Sequence, residues 1–158
     1  MKKDAMRLDT ELVIEIKDTA GRVLDRMVTK NTLTNAGFAV AAGLYGGVDS
    51  QDPFTYLALS TNATTPAAGD NSLASEITGS GLARAQATVS RVTTTVSDDT
   101  TQLYKEWTAS GTVTVEKVGF FNAASGGVMG GSALTGSKSM LSGQILAITY
   151  KIKHGSIA

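Results

Sequence analysis

The sequence predicts a mainly β fold, an antiparallel β-sandwich or barrel with one short α-helix packed on it. Apolar residues alternate at period two in several runs, turn residues punctuate those runs at short intervals, and a single segment has the composition of a substantial helix. Residues 1–10 are polar and without period, and read as an N-terminal arm that its own domain does not hold. From Glu11 the pattern changes. ELVIEIK places Leu12, Ile14 and Ile16 on one face, DTAG supplies turn residues and RVLDRMV returns, which makes a β-hairpin. TNAGFAVAAGLYGG follows with Thr34 as N-cap, an alanine-rich helix body and Gly46-Gly47 as the stop. Its small residues, Gly37 among them, admit another backbone at close range, while Phe38, Val40 and Leu44 are expected to fill a core.

FTYLALS reads as a short strand and TNATTPAAGDNS as a loop. LARAQATVSRVTTTV, Leu82 to Val96, carries β-branched residues on both faces, as an edge strand or a bent strand shared between two sheets would. Asp98-Asp99 marks a turn, and TQLYKEWTAS returns as the second half of another hairpin. TVTVEKVGFF and QILAITYKIK are the last strands, and the glycine-rich run between them, Gly126 to Leu141, reads as a turn joining strands. No repeat or linker divides residues 11–158, which are expected to form a single β-rich domain.

A chain of 158 residues is long enough for one core that removes about 70% of the unfolded surface from water. Fourteen basic residues balance fourteen acidic ones, so no net field draws the protein towards nucleic acid or an anionic membrane. The absence of cysteine removes disulfides, thiolate metal sites and a cysteine nucleophile together. MKKDAMRLDTELVIEI has acidic and basic residues where an export signal needs an apolar core. The longest apolar stretch, FAVAAGLYGGV, is about half of the ~20 residues that a membrane helix requires. Neither a membrane nor nucleic acid is therefore expected as a direct partner.

GGVMGGSALTGSKSML comes close to a nucleotide-binding loop. Gly131 and Gly136 have the required spacing, but Ser137 occupies the lysine position and Lys138 follows one place late. Lys138 is therefore expected to be exposed and without a partner, and the segment to bind no nucleotide. His154, the single histidine, reads as a solvated tail residue. Asp49, Asp52, Asp70 and Asn71 lack the regular acidic spacing of a calcium loop and read as turn formers. Tyr104 with Trp107, and Phe54 with Tyr56, have the spacing of core and cross-strand packing. No carboxylate pair for glycoside hydrolysis stands out among Glu11, Glu15, Glu76, Glu106 and Glu116. The expectation is a non-enzyme, with no catalytic residue, cofactor or metal.

Four stretches, KNTLTNAGFAVAAGL, FTYLALSTNATTPAAGDNSLASEI, VEKVGFFNAASGGVMGGSAL and LSGQILAITYKI, resemble a family of tailed-bacteriophage virion proteins of capsid-decoration, head-fibre or tail-fibre type. The resemblance spans about residues 30–153. Similar proteins read ALGTGTTAP where this chain has ALSTNATTP, and EAGLFNA where it has EKVGFFNA. The resemblance implies a virion structural protein made in the host cytoplasm, first of all a capsid decoration or cement protein that stabilises the assembled shell. The alternative is a tail-tip or tail-fibre component contacting the host surface. The lack of heptads and repeats favours cement. The partners so implied are the major capsid protein, or other tail proteins in the alternative, and further copies of the chain in a homotrimer. Candidate assembly contacts are Lys2, Lys3, Asp4, Arg7 and Asp9 of the arm, with Arg84 and Arg91 guarding the long strand.

Overall fold

Two five-stranded antiparallel sheets face one another in the computed structural model, which describes residues 6–156 and the side chains of 8–155. The first sheet runs, edge to edge, β2 (Val23–Thr29), β1 (Met6–Lys17), β10 (Ile145–Ser156), β7 (Thr100–Thr108) and β6 (Thr88–Val92). The second runs β3 (Thr32–Leu33), β9 (Met129–Met140), β8 (Val113–Phe121), β4 (Tyr56–Ser60) and β5 (Ala85–Gln86). The single helix among the described residues, α1 (Asn35–Gly46), follows β3. The sheets stay separate, so the fold is a sandwich and no barrel closes.

Period-two alternation builds the core as the hairpin pattern requires. Leu12, Ile14 and Ile16 of β1 lie opposite Tyr150, Ile148 and Leu146 of β10, all buried. Leu57, Leu59, Val115, Val118 and Phe120 meet them from the second sheet. Each such side chain taken from water contributes about 1.5–3 kcal/mol. The Phe120 ring stands edge-on between Phe54 and Tyr150, with centroids 5.0 and 4.9 Å away. Trp107 is buried and its indole N–H donates to Ala83 O at 2.8 Å, which satisfies its one polar group. The outward-facing residues of the first sheet carry charge instead. Glu11 accepts from Lys151 and Lys153 at 3.1 and 3.0 Å, and Lys17 reaches Glu106 at 2.6 Å. The 61–84 connection lays Leu73 against Ala58, Phe121 and Met129 in a second, smaller cluster.

Two sequence expectations change, and a third is borne out. Residues 6–10 are not an arm: they continue β1, pairing Met6 to Thr10 with Ser156 to Ile152. Thr10 is buried, so the alternation that begins at Glu11 in the sequence reading starts earlier in the fold. The glycine-rich run is not a turn either. Its bend is confined to residues 122–127, and Met129 onward forms the twelve-residue β9 between β3 and β8. Glycine is needed there because the Phe120 ring lies against it: a Cβ at Gly130 would lie 2.0 Å from a carbon of that ring. The stretch from Leu82 to Val96 is the bent, shared strand. Ala85–Gln86 pairs with β4 in one sheet and Thr88–Val92 with β7 in the other, an edge in both. It stops at Val92, because the Asp99 carboxylate gathers the backbone N–H groups of Thr94, Thr95 and Val96 at 2.8–2.9 Å and turns the chain.

Candidate assembly surface

The helix is fixed at both ends by the residues its sequence supplies for the purpose. Thr34 Oγ1 accepts from Gly37 N at 2.9 Å and donates to Met129 O at 2.5 Å, so the N-cap also ties α1 to β9. Gly47 closes the other end at φ 61°, its N–H reaching the Gly43 and Leu44 carbonyls. Between the caps, Gly37 lies so close to β9 that a Cβ there would meet the carbonyl oxygen of Gly130, with its Cα 2.7 Å away. Close docking through Gly37, Val40 and Gly43 decides which side of α1 is buried.

That choice leaves apolar side chains over. Phe38 is 49% exposed, Tyr45 63%, and Leu44 is exposed beside them, contrary to the expectation that Phe38 and Leu44 fill a core. The helix is apolar nearly all round, but only one side can meet the sheet. With Val89 of β6 as the facing wall and Leu33, Phe54 and Ile152 beneath, these side chains line an open, apolar groove of about 470 Å³ at one end of the sandwich. An apolar concavity walled by exposed aromatic and aliphatic residues has the chemistry of a protein contact surface.

One polar pair interrupts it. His154 is carried into the groove by β10, which runs on through Lys153 and is not a solvated tail. Its Nδ1 lies 2.6 Å from Tyr45 Oη, and its backbone N–H donates to Asp99 O at 2.9 Å. Desolvation lowers its pKa from the ordinary value, the negative charge of Asp99 opposing.

The other candidate contacts lie apart from the groove floor. Arg84 is no edge guard. Its guanidinium binds both Glu76 carboxylate oxygens at 2.8 and 2.7 Å, donates to Ala123 O and Gly126 O at 3.1 and 2.8 Å, and lies 3.7 Å from the Phe121 ring centroid. A half-buried Arg84 with its donors so engaged pins the 122–127 bend to the sheet and offers nothing to a partner. Arg91 is exposed on the edge strand β6, two residues from Val89. Asp9 is exposed and paired with Lys30 at 3.1 Å, whose hydrogen bond lowers the carboxyl pKa. Arg7 stands opposite Gly155 in the β1–β10 ladder, and Lys2, Lys3 and Asp4 lie outside the described residues. Lys138, expected to be exposed and unpaired, is buried along its stem and bound to Asp25 at 2.6 Å. Its place inside a strand gives the glycine-lysine run neither the loop nor the helix that phosphate binding uses. No helix among the described residues is long and apolar enough to cross a membrane.

No single local pattern announces the groove, because its walls come from seven strands, a helix and a loop far apart in the chain. The local signal was the apolar surplus of α1, visible as Phe38, Leu44 and Tyr45 on a helix that also needs its glycine side buried. Residues 29–153 match a family described as podophage GP4 fiber I protein gp80. No curated protein and no solved structure matches the chain. The matched span runs from the end of β2 into β10 and takes in the helix, the whole second sheet, β6, β7 and most of β10 of the first, and every wall of the groove except Leu8 and His154. The chain therefore belongs to the podophage fiber I protein gp80 family, and is a tailed-phage virion structural protein.

Proposed function

We propose that this protein is a fibre-type appendage component of the virion, held in the particle by protein contacts and performing no catalysis. The family match across residues 29–153 carries this reading, because it covers the helix and strands of both sheets and not an isolated motif. The groove supports it: a virion component needs a desolvated contact surface, and the exposed apolar side chains of α1 supply one. The outward charges of the first sheet are largely paired with one another, which suits a solvated outer face.

The compact two-sheet domain, without a shaft or heptads, favours a second reading, a capsid cement clamped onto the major capsid protein. Quantitative mass spectrometry of purified virions, with antibody labelling in electron micrographs, separates the two. A fibre component is expected at a few to a few tens of copies, at the tail or at discrete attachment points, as symmetric appendages are. Hundreds of copies spread over the shell would overturn the fibre reading and establish the cement.

A further inference from the structure

We draw no further inference here: the strongest candidate, the open apolar groove at one end of the sandwich between α1 and β6, belongs to the contact surface already described, and nothing in the structure shows what covers it.

Discussion

Arg84 is the side chain on which most local structure converges, and its removal isolates an ionic contribution. Arg84→Ala would leave the Glu76 carboxylate without its bidentate partner and the Ala123 and Gly126 carbonyls without their donor. A partly buried charge left alone costs about 3 kcal/mol, so the urea midpoint should fall with the slope unchanged. Arg84→Lys should not restore it, since one ammonium cannot span the fork of contacts a guanidinium makes; full recovery by lysine would count against this account. His154 gives a second prediction, in pH. Burial lowers its folded pKa below the ordinary 6.5, so the unfolded chain takes up the proton first. Its contribution to stability is complete above pH 6.5 and is lost as pH falls through 6.5 towards the folded value. Its surroundings contain Tyr45 from α1 and Asp99 from the turn before β7, and Asp99 limits the shift. The carboxyl pKa values of Glu11, held down by Lys153 and Lys151, and of Glu106, held down by Lys17 and Tyr104, lie below the ordinary 4.5. Their stabilisation is present above that value and is lost as pH falls through the lowered one. Melting temperature should therefore decline in two stages on acidification. Because His154 is the only histidine, His154→Gln should flatten the upper stage alone, and an upper stage that persists in the variant would refute the assignment.

At the scale of the element, the contact between α1 and β9 makes two glycines of one helix respond with opposite sign. Gly37→Ala places a methyl group against the Gly130 backbone and must push the helix off the strand, at a cost of about 1–3 kcal/mol. Gly46→Ala meets nothing closer than Val48 at 3.7 Å and gains helix propensity, a stabilisation of up to about 1 kcal/mol. Thermal melts of the two variants read the sign directly, and equal shifts would show that helix propensity alone is at work. The same contact explains what could be read in advance. The β1–β2 hairpin, both caps of α1 and the bend between β5 and β6 were legible, because alternation, Thr34, Gly47 and β-branching on two faces act within a few residues. β9 was not. Its glycines suggest a turn by local rules but serve the approach of the Phe120 ring and of α1, which only the folded chain supplies. The groove was illegible for a related reason: Phe38 and Leu44 read as core until the position of Gly37 shows that the helix docks by another side.

At the scale of the whole molecule, the strands nearest the two ends of the chain lie side by side inside the first sheet, β1 paired with β10 from Met6↔Ser156 to Lys17↔Ile145. Pairing across so great a sequence separation has no local signature, which is why residues 6–10 read as an arm. It also makes this segment part of the groove, since Leu8 is in its wall. The consequence can be measured by comparing a chain that begins at Met6 with one that begins at Glu11, because their difference isolates Met6 to Thr10. The shorter chain loses five positions of the β1–β10 ladder, the Asp9–Lys30 pair and the bond from Asn31 N to Thr10 Oγ1. It also uncovers Ile152, which is buried in the intact sheet. At about 0.5–1.5 kcal/mol net for each lost hydrogen bond, the shorter chain should be less stable by at least about 2 kcal/mol. For a domain of this size that is a fall of roughly 4–8 °C in melting temperature. Coincident melting curves for the two would mean that residues 6–10 contribute nothing to the sheet, and would restore the arm that the sequence suggested.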